Sequence, residues 1–161
     1  MKNKLFINPK GKYSNSVILD VKRLLRPKER DSFFKAIQPN IGRRLKEFGI
    51  SSSENLIKMG ATPKGRELIS QGTGLSNHQV LDCVKRADLF RIKGLSSEYL
   101  DLLNAAGINS VEDLSGLDSK KLLKKMEEAN LQKKIVRRLP GEQKVGEWVS
   151  AVRKTKTIVQ Y

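Results

Sequence analysis

The chain has one cysteine, one histidine, one tryptophan and only 6% aromatic residues in 161 positions. A single thiol, Cys83, excludes an internal disulfide framework. One His with one Cys offers no metal-ligand spacing, and no cofactor is expected. No apolar run approaches the ~18 residues of a membrane span, and the early run Leu5-Phe6-Ile7 is too short for the core of a signal peptide. The expectation is an intracellular protein, cytoplasmic or nucleoid-associated, with no membrane partner. Acidic residues are scarce too: 17 Asp plus Glu stand against 32 Lys plus Arg, a net charge of +15. That imbalance makes a polyanion the first partner to consider.

The charge is unevenly spread. Residues 1–30 carry nine basic side chains against Asp20 and Glu29, a net +7. A second block, Lys120, Lys121, Lys124, Lys125, Lys133, Lys134, Arg137 and Arg138, faces only Glu127 and Glu128, a net +6. Between them, residues 88–118 hold six carboxylates against Arg91 and Lys93, a net −4. A nucleic-acid footprint should avoid that acidic stretch or touch only its basic edge.

The chain also repeats itself. Leu45-Lys-Glu-Phe-Gly49-Ile50-Ser-Ser52-Ser-Glu54-Asn-Leu56 recurs 58 residues later as Leu103-Asn-Ala-Ala-Gly107-Ile108-Asn-Ser110-Val-Glu112-Asp-Leu114. Val80-Leu-Asp-Cys83-Val84 returns at an offset of 65 as Val145-Gly-Glu-Trp148-Val149. An internal duplication follows, dividing the chain into a basic extension (1–32), a first unit (33–88) and a second unit with a C-terminal tail (89–161).

Each unit reads as a string of short helices. Gly49 and Gly107 suit the left-handed residue that closes a helix. Ser51 with Glu54, and Asn109 or Ser110 with Glu112 or Asp113, have the spacing that starts the next one. Thr62-Pro63 opens a helix to about Ser70, and Ser76 with Gln79 opens another along Val80, Leu81, Val84 and Ala87. Pro140-Gly141 starts the last, with Val145, Trp148, Val149 and Val152 on one face. The 120–138 block is expected as an amphipathic helix burying Leu122, Leu123, Met126 and Leu131. In the extension, the apolar stretch Val17–Leu25 predicts a helix ending at Arg26-Pro27. No strand alternation is sustained, so the fold class is all-α.

Arg91-Ile92-Lys93-Gly94-Leu95-Ser96-Ser97 sets apolar residues around a glycine and a small polar residue before a new helical face. This is a helix-hairpin-helix pattern, in which N–H groups at the start of the second helix point outward and suit a phosphate oxygen. The first unit aligns as Lys35-Ala36-Ile37-Gln38-Pro39-Asn40-Ile41-Gly42-Arg43-Arg44, with Ala36 where the second has Gly94.

Five stretches carry a resemblance: Ala61–Leu68, Ala87–Gly94, Ala105–Ile108, Lys133–Pro140 and Ile158–Tyr161. From about residue 34 onward the chain resembles the tandem helix-hairpin-helix family catalogued as a domain of unknown function. The resemblance implies two such units packed as one compact helical domain and nucleic-acid binding, and it brings no catalytic residue. Ala36 and Ser96 depart from the hairpin glycines of that family.

The remaining polar residues read as structural. His78 belongs to the first turn of a helix at the surface. Gly60–Glu67 lacks the Lys-Ser/Thr of a phosphate loop and has no preceding strand. No paired carboxylates suggest acid/base work, so no enzyme is expected. The expected function is largely sequence-independent binding of nucleic acid, duplex DNA first. The residues expected to carry it are Lys35, Ile37, Gln38, Asn40, Arg43 and Arg44 at the first hairpin, and Arg91, Lys93, Gly94, Ser96 and Ser97 at the second. Lys120, Lys121, Lys124, Lys133, Lys134, Arg137 and Arg138 add the basic block. The alternative is a helical adaptor for a protein, its basic ends meeting RNA or an acidic partner.

Overall fold

Helices supply the regular structure of residues 32–161, the part of the chain that the computed structural model describes. The basic arm and the helix expected over Val17–Leu25 lie outside the described residues. A 3-10 helix (Ser32–Ala36) leads into α1 (Pro39–Phe48), α2 (Ser53–Gly60), α3 (Pro63–Thr73), α4 (Asn77–Phe90), α5 (Ser97–Ala105), α6 (Val111–Ser115), α7 (Ser119–Lys133) and α8 (Glu142–Lys154). Among the described residues there is no strand, and no helix is long and apolar enough to cross a membrane.

The stretches that repeat in sequence close in the same way. Gly49 (φ 108°) and Gly107 (φ 84°) both take the left-handed conformation. Ile50 N–H bonds the Leu45 carbonyl and Ile108 N–H the Leu103 carbonyl, each at 2.9 Å. This pairing satisfies the last carbonyls of α1 and α5. The next helices begin on Ser52 and Ser110, whose hydroxyls accept from the amides of Asn55 and Asp113, each at 3.1 Å. The first cap is therefore Ser52, one residue past the expected Ser51, because the Ser52 backbone is extended while Ser53 is already helical. Thr62 and Ser76 cap α3 and α4 as expected, the latter with a reciprocal bond from its own N–H to Gln79 Oε1. α3 runs three residues beyond Ser70, to Thr73, and Gly74 (φ 73°) supplies its left-handed stop.

Packing repeats as well. α1 lies on α3, α2 on α4 and α3 on α4; likewise α5 lies on α7, α6 on α8 and α7 on α8. α4 also packs on α5 and α6, and the expected division at 88/89 falls inside this unbroken helix. The 3-10 helix packs on α5, and its Phe33 meets Phe90 at the end of α4 at 5.6 Å between ring centroids. One continuous core results, including Phe33, Phe48, Leu56, Leu103, Leu114 and Trp148. Burying each such side chain is worth about 1.5–3 kcal/mol. Exposed pairs such as Glu54–Lys58 and His78–Asp82 are worth about 0–1 kcal/mol, so the core decides the fold.

Two expectations for the basic block fail. α7 ends at Lys133, with Lys134 left-handed (φ 49°), so Lys134, Arg137 and Arg138 stand on a loop. Leu122 and Met126 are buried, but Leu131 is 80% exposed. Leu131 follows Leu122 by about two and a half helical turns, which carries it to the opposite side of α7.

The C-terminal tail returns to the first half. Arg66, although buried, donates to the carbonyls of Gly60 (2.9 Å), Ala61 (3.1 Å) and Gln160 (2.6 Å). Desolvation pulls its pKa down, and Tyr161 opposes that shift. The residue four places after the cap of α7 is Leu122, so among the described residues the second half has no such strap.

Candidate nucleic-acid interface

Between α4 and α5 the chain turns through Arg91–Ser96. Ile92 and Leu95 are buried, and the exposed Gly94 between them sits at φ 82°. A side chain there would be strained by that backbone angle, which favours glycine. Ser96 is the N-cap of α5, its hydroxyl accepting from the Tyr99 amide at 3.4 Å. The first amides of α5, at Ser97 and Glu98, have no intrahelical acceptor and carry the positive end of the helix dipole.

The fold brings to this turn a cation from far along the chain. A Cβ on Gly94 would lie 3.6 Å from Lys144 Cε and 3.7 Å from Trp148 Nε1. The Lys144 ammonium lies 5.1 Å from the Tyr99 ring centroid, and Tyr99 is 5.3 Å from Trp148. Trp148 Nε1 is buried and has no hydrogen-bond partner among the described residues. Lys93 is exposed at the same turn. Arg91 is tied to Asp88 at 2.7 Å, so its charge is largely spent within the turn. Burial holds the Asp88 carboxyl above its usual range, and the bond from Arg91 opposes that shift.

The turn before α1 is different. Ala36 is buried within the 3-10 helix and does not take a positive φ. The alanine therefore needs no left-handed strain, and Pro39 sets the helical φ at the start of α1. Ile37 is buried, and its N–H bonds the Phe34 carbonyl at 3.4 Å, which removes that amide from the exposed set. Gln38 is the exposed N-cap of α1 and forms no side-chain capping bond. Lys35, Asn40 and Arg43 are exposed, with Arg43 donating to Asn40 Oδ1 at 3.2 Å. Arg44 is half-buried and reaches the Gly74 carbonyl at 3.4 Å. Ile37 and Gln38 border a groove of about 550 Å³ shared with Gln79 and Cys83 of α4 and with Asn104, Asn109 and Asp113 of the second half. Arg86 and Asp101, paired at 2.7 Å, link α4 to α5 nearby.

Gln79 and Cys83 precede Lys144 and Trp148 by 65 residues, the offset of the sequence repeat. In both halves the last helix thus flanks the turn, with Gln79 beside the first and Lys144 beside the second. Lys144 escaped the sequence reading because it lies outside the acidic stretch that surrounds its turn. The equivalence of Cys83 and Trp148 was the signal that could have found it. Lys120, Lys121 and Lys124 are exposed on α7, and Lys133, Lys134, Arg137 and Arg138 are exposed around its end. His78 is at the surface, and Cys83 is a buried thiol pushed up to about 12 by desolvation.

No curated protein and no solved structure matches the chain. The pattern of caps, turns and buried faces spans the segment that one family describes, residues 35–155, and the chain belongs to that family, the domain of unknown function DUF4332.

Proposed function

We propose that the protein is a non-enzymatic, largely sequence-independent nucleic-acid-binding module acting on duplex DNA through two helix-hairpin-helix units. The observation that carries this reading is the turn before α5. There an exposed left-handed Gly94 precedes a helix, capped by Ser96, whose first amides have no intrahelical acceptor, with Lys93 and Lys144 alongside. Phosphate oxygens suit that combination of N–H groups, helix dipole and ammonium charge. Lys35 and Arg43 flank the first turn, and the exposed cations of α7 and its following loop extend the positive surface. Backbone contacts of this kind position a duplex without reading its sequence.

The test is a salt titration of the full chain against duplex DNA, single-stranded DNA and RNA. With about six phosphates neutralised, duplex affinity falls roughly 10³-fold between 50 and 200 mM salt. Lys93→Glu with Lys144→Glu, and Lys35→Glu with Arg43→Glu, each weaken binding and flatten the salt slope. No binding at 50 mM salt overturns the reading, and preference for RNA redirects it.

A further inference from the structure

At the end of α7 the exposed Leu131 faces solvent beside the half-buried Leu139, and the two border an open groove of about 380 Å³ with Glu127, Asn130 and Lys134. An aliphatic side chain that is 80% exposed gains nothing from the fold of its own chain.

The groove wall is fixed in place. Lys134 takes the left-handed conformation without being glycine, its N–H bonding the Asn130 carbonyl at 2.8 Å. The Asn130 side chain then clamps the loop from both directions, donating to the Val136 carbonyl (3.1 Å) and accepting from the Val136 N–H (3.0 Å). Pro140, buried, stiffens the path into α8. A surface held in this way loses little ordering entropy when a partner binds.

Charge selects the partner. Lys134 lines the groove together with Glu127, the exposed Lys133, Arg137 and Arg138 adjoin its lining residues in sequence, and none of these four cations forms an ion pair among the described residues. The chain's own residues 1–30, at net +7, would meet like charge there. A second copy is repelled overall at +15, and its one carboxylate-rich stretch, 88–118, brings only −4. Duplex DNA satisfies the cations but leaves the gap between the two leucines unfilled, because a concave apolar groove receives a side chain rather than inserting one. We infer that this groove docks an acidic peptide segment of a partner protein, with an aliphatic anchor seated between Leu131 and Leu139 and its carboxylates on Lys134, Arg137 and Arg138. The mode is a helix laid in a groove, read by apolar anchors with charge around them.

The probe is a fluorescein-labelled helical peptide bearing Leu at i, i+3, i+4 and i+7 and Glu elsewhere, alongside a second peptide with Ser at the Leu positions. Anisotropy with the full chain should show the Leu peptide binding well above the Ser peptide. Leu131→Ser should weaken the Leu peptide by about thirtyfold, the loss of one central apolar anchor, while leaving duplex DNA affinity within about twofold, a change near the smallest a surface substitution produces. Leu131 is exposed, so the thermal midpoint should hold. If it does not, Leu131→Ala repeats the measurement. Equal binding of the two peptides overturns the inference by reducing the surface to bare charge. No peptide binding, or a duplex loss as large as the peptide loss, also overturns it, the latter by making Leu131 a nucleic-acid contact. The salt titration of the unsubstituted chain on duplex DNA is independent of both peptide outcomes, so this inference and the DNA reading can fail separately.

Discussion

Before α5 the chain turns through an exposed left-handed Gly94 beneath Lys144, whereas before α1 it turns through buried Ala36 and Ile37 beside Gln79. Everything that closes the flanking helices is shared: Gly49 with Gly107, Ser52 with Ser110, and Leu56 with Leu114 at zero exposure. The halves have kept the backbone devices on which their helices depend and have parted at the side chains around the two turns. By sequence, charge favours the first turn, since the second lies within an acidic stretch. In the folded chain Lys144 reaches the second turn, while Asp113 of the other half borders the groove beside the first. Local charge at a site is therefore a property of neighbours in space.

The largest expected effect breaks the asymmetry between Arg66 and Leu122. Arg66→Leu gives the first half the aliphatic residue of the second and removes three charge-assisted bonds to carbonyls. Urea unfolding should show a loss of about 3 kcal/mol, with earlier proteolysis of the tail at Gln160. A loss below about 1 kcal/mol, the net worth of one ordinary hydrogen bond, would mean that the strap contributes little.

Next come the turns themselves. Gly94→Ala meets only ordinary contacts with Lys144 and Trp148, so its cost is conformational, about 1–2 kcal/mol for a left-handed alanine. Ala36→Gly should cost about 0.5–1 kcal/mol through chain entropy and leave duplex affinity unchanged, because the first turn uses no positive φ. A gain in affinity from Ala36→Gly would show that the first turn needs the flexibility its partner has.

The smallest effect separates Cys83 from Trp148. The Cys83 thiol is raised from 9.0 to about 12 by burial, with Arg86 opposing and Asp82 adding. A raised folded pKa stabilises fully below pH 9.0, and the contribution falls away as the pH climbs toward about 12. At pH 9 the loss is roughly 0.4 kcal/mol, and Cys83→Ala should remove that slope. The native thiol should also react with a disulfide reagent at pH 8 only as fast as the fold opens. Rapid labelling would place the sulfur in open contact with the first groove.

Much of this architecture was legible in advance because caps and stops are local. Ser76 with Gln79, Thr62 before Pro63, and a glycine followed by isoleucine each act within one helical turn, so adjacent residues suffice to find them. Leu131 was misread because a list of apolar residues does not settle which side of α7 faces inward. That the Ile37 N–H is taken up by Phe34 was not legible, because the bond depends on a 3-10 turn that the alignment with Gly94 does not suggest. Arg66 gave no sign at all, since its acceptors include a carbonyl 94 residues away.

By itself the sequence determined the helical fold, the repeat and its closures, and the excess of positive charge, all of which rest on contacts within a few residues or on composition alone. Only the tertiary structure decided that Lys144 stands over Gly94, that Arg66 holds the tail, and that Leu131 is left in solvent. Those outcomes depend on how helices distant in sequence pack, and packing geometry is not written in any one segment.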